Sequence, residues 1–119
     1  VQTCALPIYK RLFIIAGDPK LVVINPQVAM ATEEMAQDIE GCLSLPGMFL
    51  PVSRPTWINA TWLDGDGLVQ QHLLENHVAR VFLHELDHLN GILFTDRVSK
   101  LRLDMAKRRM IKNQRKARK

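Results

Sequence analysis

Apolar residues arrive along this chain in short clusters separated by Pro, Gly and Asp, a rhythm that reads mainly as strands. Leu12 to Ile15 is strand-sized and is closed by Gly17-Asp18-Pro19. Leu21 to Ile24 forms a second such cluster, with Asn25-Pro26 expected to end it. Gln27 to Ile39 carries Glu33, Glu34 and Asp38 in a weak pattern and predicts strand plus loop. Gly41 to Pro55 contains Pro46, Gly47, Pro51 and Pro55, which exclude helix and predict turns with short extended pieces. From Thr56 to Leu63 the alternation is clean, with Ile58, Ala60 and Trp62 at period two. Asp64-Gly65-Asp66-Gly67 supplies a hairpin turn, and Leu68 to Leu74 returns as the partner strand. That turn lacks the closing Glu and further oxygen ligands of a calcium loop.

At Asn76 the period changes. Val78, Val81, Phe82, Leu86 and Leu89 recur at helical spacing, with Asn76 suited to the N-cap and Asn90-Gly91 to the stop. Ser99 is expected to cap a last helix whose apolar face, Leu101, Leu103, Met105 and Met110, is imperfect. The sum is an α+β protein, antiparallel strands around a central helix with a C-terminal helix, in one domain over residues 1–119.

Composition adds limits. Apolar residues make up 47% and charged residues 24%, which places the chain among ordinary globular domains. No apolar run approaches the ~20 residues that span a bilayer, so no membrane partner is expected. Two cysteines, Cys4 and Cys42, are too few for a disulfide framework and suit a reducing, cytoplasmic compartment. The chain begins at Val1, so a targeting segment for a plastid or mitochondrion is expected to lie outside it if one exists.

Charge is unevenly placed. Of 16 basic residues, eight lie between Lys107 and Lys119 with no acid among them, while all 12 acidic residues lie earlier. Residues 99–119 therefore form a basic helix and tail suited to RNA or another phosphate surface, the alternative being a solvated helix end.

The residues that carry chemistry are His84-Glu85-Leu86-Asp87-His88, an H-E-x-x-H sequence inside the expected helix. Residues four apart share one helix face, so two imidazoles can hold one divalent cation with a carboxylate beside it. A catalytic ion of this kind needs a third protein ligand and an open position. No Glu follows Glu85, which excludes a ligand of that type from a downstream helix. Phe94 stands where an extended H-E-x-x-H-x-x-G-x-x-H pattern needs its third His. His77 is nearly two turns from His84, His72 reads as a surface strand residue, and Asp96 sits in a turn soon after the helix. Cys42 lies in Glu40-Gly41-Cys42-Leu43-Ser44-Leu45-Pro46-Gly47, a tight segment where backbone can approach closely. A thiolate with two neutral imidazoles leaves a divalent ion at net +1, which favours ionisation of water.

Glu-Gly-Cys-Leu-Ser followed about forty residues later by His-Glu-Leu-Asp-His-Leu resembles the peptide deformylase family. The likeness runs from about Ile8 to the last helix and includes Asn25-Pro26, Arg54-Pro55, the Asp64 to Gly67 turn and Asn90-Gly91. It implies hydrolysis of the formyl group from the N-terminal methionine of new peptides, by a monomer in a bacterial-type cytoplasm. It implies Cys42, His84 and His88 as ligands of one divalent ion, ferrous iron before zinc, nickel or cobalt. Glu85 becomes the general acid/base, and the backbone N–H of Leu43 an oxyanion donor. Gly41 would offer extended backbone to an N-formylmethionyl peptide, and Val81, one turn before His84, would line the methionine pocket. Glu40 is expected to pair with a base, with Arg54 as candidate, and Asp87 to make a supporting contact rather than bind metal.

The departure lies at residues 1–7. The family carries Gly-x-Gly-x-Ala-Ala-x-Gln immediately before this point, and Ala5 stands where its glutamine would align. Loss of that oxyanion donor predicts metal binding with weak or no turnover. Two other readings stay open: a zinc peptidase built on the same helix motif, and a metal-binding fold that docks on RNA through its tail.

Overall fold

The computed structural model describes residues 11–17, 20–42 and 45–117 in full and residues 3–6 by backbone. Strands β1 (Thr3–Leu6), β2 (Leu12–Ile15), β3 (Leu21–Ala31), β4 (Met35–Cys42), β5 (Leu45–Pro55), β6 (Trp57–Leu63) and β7 (Val69–Glu75) precede helix α1 (Asn76–Leu89). A 3-10 turn (Phe94–Arg97) and helix α2 (Lys100–Ala117) complete the order among the described residues. The fold class is α+β, as expected. The described residues form two compact units, one of residues 1–36 and 54–92, the other of 37–53 and 93–119.

In the first unit a five-stranded antiparallel sheet runs in the order β1-β2-β3-β6-β7. Period two decides its faces: Phe13, Val23, Ile58, Ala60 and Trp62 point one way and are buried. Against them α1 lays Ala79 and Phe82, with Leu83, Leu86 and Leu89 around the rim. Phe82 touches Phe13 edge-on, ring centroids 5.4 Å apart, and Trp62 at 5.6 Å. A 14-residue helix is marginal in isolation, so this seat rather than propensity holds it.

One expectation about a strand end fails here, for an identifiable reason. β3 does not stop at Asn25-Pro26 but continues to Ala31. Its register against β6 shifts between Ile24 and Gln27, and Asn25 takes φ +51 while donating its N–H to the Arg11 carbonyl at 2.7 Å. The Asn-Pro pair is absorbed as a bulge, where a missing ladder donor does no harm. The Asp64 turn behaves as expected: the Asp64 carboxylate accepts the Asp66 and Leu68 N–H groups at 2.9 and 3.0 Å.

In the second unit, Gly41 to Pro55 is more regular than its prolines suggest. Leu45–Pro55 is one eleven-residue strand that, among the described residues, pairs only with β4 in its sheet, so an edge remains where Pro is tolerated. Met48, Leu50 and Val52 alternate inward and meet Phe94 and Ala106. On α2, Leu103, Ala106 and Met110 form the packed face, while Leu101 (70% exposed) and Met105 (52%) point to solvent. The expected face is thus half right, because a spacing of three then four seats only the first set. Ser99 caps the helix as expected, its Oγ accepting the Arg102 N–H at 3.3 Å.

Candidate metal centre

Helix α1 begins where β7 ends. Asn76 donates its N–H to the Thr56 carbonyl at 2.8 Å and takes φ +52. The N-cap is Glu75, without a side-chain cap bond, so Asn76 is not the cap the sequence suggests. Asn is present because it tolerates the left-handed backbone of this corner. The C-terminus follows expectation: Gly91, at φ +76, donates to the His88 carbonyl at 3.1 Å and Ile92 donates to the Asp87 carbonyl at 2.8 Å. That double bond is a Schellman stop, and it fixes the turn that carries His88.

His84 and His88 stand one above the other on this helix, ring centroids 4.5 Å apart at 63°. Both are half-buried. Glu85 is 4% exposed, with Oε2 3.6 Å from His88 Nδ1, an ion-pair distance rather than a hydrogen bond. The adjacent Glu85 carboxylate raises the His88 imidazole above its ordinary value, opposed by burial; the negative charges of Glu85 and Asp87 add to the rise and the positive charge of Arg54 opposes it. Two imidazoles on one face with a buried carboxylate beside them suit a borderline transition-metal ion rather than magnesium or calcium, which take oxygen ligands.

The second unit presents Cys42 at the end of β4, half-buried against Met48, Leu50 and their neighbours and in no disulfide. Gly41 precedes it, and a Cβ there would fall 2.8 Å from the Phe49 ring. Leu43 lies outside the described residues. Val81 is half-buried on α1, one turn before His84. His72 is exposed, hydrogen-bonded to Gln70 and tilted against Trp62, away from the α1 histidines in role as expected.

One contact was not legible in the sequence. Asp87, between the motif's Glu and its second His, accepts a 2.6 Å bond from Arg54 Nη1, and both side chains are buried. Arg54 therefore holds Asp87, the supporting contact foreseen for Asp87, with a partner 33 residues away. Glu40 is also buried, at 6% exposure.

An antiparallel sheet seated on a helix that offers two imidazoles and a carboxylate from one turn defines the H-E-x-x-H class of α+β proteins. Within that class the chain belongs to the polypeptide deformylase family, whose model matches residues 7–104. A peptide deformylase of Clostridium botulinum is 49% identical over 94 residues, 78% of this chain and 63% of that relative. One from Synechocystis is 46% identical over 81 residues, 68% of this chain and 43% of the relative. Among solved structures, a Synechococcus elongatus peptide deformylase in complex with actinonin superposes with TM-score 0.75 at 41% identity, covering 80% of this chain and 53% of that one. The Thermotoga maritima enzyme gives 0.76 at 37%, covering 82% and 69%. The chain spans about half the length of several of the curated relatives it matches, 43% and 42% of the first two. Among the described residues no helix is long and apolar enough to cross a membrane.

Proposed function

We propose that the chain removes the N-formyl group from the N-terminal methionine of newly made peptides, by hydrolysis at a divalent metal. The observation that carries this is the single turn of α1 that sets half-buried His84 and His88 beside buried Glu85, in a member of this family. Cys42, His84 and His88 hold the ion, Fe2+ before Zn2+, Ni2+ or Co2+. Support for Cys42 is its Glu-Gly-Cys-Leu-Ser setting and the softness of a thiolate with two imidazoles. When bound, the ion polarises the formyl oxygen and acidifies water.

The protein's own groups do the rest. Glu85 takes a proton from the attacking water as its oxygen bonds to the formyl carbon. The Leu43 N–H donates to the oxygen that gains charge. As the carbon–nitrogen bond breaks, Glu85 returns its proton to the leaving amine, and formate departs. Gly41 offers backbone to the peptide as an added strand, and Val81 borders the methionine side chain. Ala5 has no side-chain amide to give at the position the family fills with glutamine, so turnover is expected to fall by ~10²–10³.

The basic helix favours a second contact. Arg108, Lys112, Arg115 and Lys116 lie together along α2 with Ile111 among them, and their charge supports a contact with the phosphates of ribosomal RNA. A monomer working beside the ribosome in a bacterial-type cytoplasm is the setting this reading assigns.

The test is formate release from formyl-Met-Ala-Ser by anaerobic, Fe2+- or Ni2+-loaded chain, beside Glu85→Ala. Release that disappears in Glu85→Ala supports the reading. Cleavage of unformylated peptides instead would replace it with a peptidase.

A further inference from the structure

The histidine turn must be held at a defined roll about the helix axis, and the apolar core is poorly placed to do that. At 100° per residue, His84 and His88 straddle one direction, and Phe82, Leu86 and Leu89 lie roughly 120–180° away from it. Apolar contacts are non-directional, so a seat on the far side resists translation better than rotation. A roll of ~10° at a side-chain radius of ~5–6 Å moves an imidazole nitrogen by about 1 Å. Metal–ligand distances tolerate about 0.2 Å.

Glu85 and Asp87 flank the histidine stripe on opposite sides, each roughly 80° from its centre. Asp87 is buried and gripped by Arg54 at 2.6 Å. Two turns earlier, within roughly 20° of Asp87 around the helix, Arg80 is buried as well. Its Nη2 donates to the Ala36 carbonyl at 2.8 Å. One flank of α1 is therefore tied to strand residues by two directional, charge-assisted bonds. We propose that Arg54, acting through Asp87, is a positioning residue that sets the roll of α1 and with it the aim of His84 and His88. Arg80 is the second tie on the same flank.

This inference rests on the metal reading above and deepens it. A buried ion pair is weak grounds for a stabilising role, since apolar replacements of like volume are often neutral or better. That property separates positioning from stability. The experiment uses the whole chain, with Co2+ as probe, in the wild type, Arg54→Lys, Asp87→Asn and the double variant Arg54→Met/Asp87→Leu. Affinity is read by competition with a chelator, ligand geometry by the Co2+ visible spectrum, and folding by far-UV dichroism and Tm without metal.

The expected result is a folded double variant that binds Co2+ ~10–100-fold more weakly and with an altered spectrum. Asp87→Asn should weaken binding similarly, while Arg54→Lys recovers part of the affinity. A folded double variant with wild-type affinity and spectrum overturns the inference. Should the double variant not fold, Arg54→Lys and Asp87→Asn decide: wild-type affinity and spectrum in both overturn it. Wild-type chain that folds but binds no Co2+ removes the metal reading itself, and the inference falls with it.

Discussion

Replacing Phe82 by Ala probes how the core supports the site. Phe82 is fully buried, two residues before His84, with its ring against Phe13 and Trp62. Withdrawing the ring forfeits about 2 kcal/mol of transfer free energy. If about half of the vacated ~100 Å³ persists as a void, the cavity adds roughly 1 kcal/mol at ~24 cal/mol per Å³. Two lost aromatic contacts add about 0.5 kcal/mol each. The expected loss is about 4 kcal/mol, a large part of the ~5–15 kcal/mol that holds a domain of this size. Urea unfolding of metal-free chain, followed by the fluorescence of Trp57 and Trp62, should show a midpoint ~2 M lower for an m value near 2 kcal/mol/M. Phe82→Leu, which refills most of the space, should lose less than about 1.5 kcal/mol. A Phe82→Ala loss below about 1.5 kcal/mol would mean α1 is not seated through this ring, and the packing argument would be wrong.

Three other outcomes are expected. In metal-free chain the raised His88 value means its pairing with Glu85 contributes stability that is full below an imidazole's ordinary 6.5 and is lost as pH rises through the raised value. Urea midpoints between pH 5.5 and 8 should show that decline, and its persistence in Glu85→Gln would refute the assignment. Gly91→Ala meets no atom but forces φ +76 on a Cβ, so it should lose about 1 kcal/mol in the same assay, with Gly91→Asn recovering part; a neutral Ala contradicts the strained stop. Changing Arg108, Lys112, Arg115 and Lys116 to Gln should weaken binding to single-stranded RNA and lower the log–log salt slope by about 3, whereas an unchanged slope places the contact elsewhere.

What the sequence made legible was whatever is encoded locally. Ile58, Ala60 and Trp62 announce their strand by alternation, and His84, Glu85 and His88 announce theirs by helical spacing, because each pattern fits within one element. The Asp64 turn and the Asn90-Gly91 stop are legible for the same reason. What escaped depended on partners or on tolerance. Asn25-Pro26 is a turn signal that a bulge absorbs, and Pro46 and Pro51 are breakers that an edge of β5 accommodates. Asn76 has the chemistry of a cap, yet a positive φ uses it differently. The Arg54–Asp87 pair joins residues 33 apart, and no local pattern distinguishes Asp87 as a partner from Asp87 as a solvated helix residue.

The surface of α1 around the motif is divided by role, and that division links stability to chemistry. Ala79, Phe82, Leu86 and Leu89 take the side toward the sheet, Arg80 and Asp87 the tied flank, and His84 and His88 the side away from the core, with Glu85 buried between stripe and core. Core packing sets how deep the helix sits, and the ties set how it is turned. A change such as Phe82→Ala should therefore reduce stability far more than metal affinity, provided the chain still folds. A change in the Arg54–Asp87 pair should do the reverse. Each class of substitution thus acts as the control for the other. Equal losses in both measurements from both classes would show that seat and roll are one constraint rather than two.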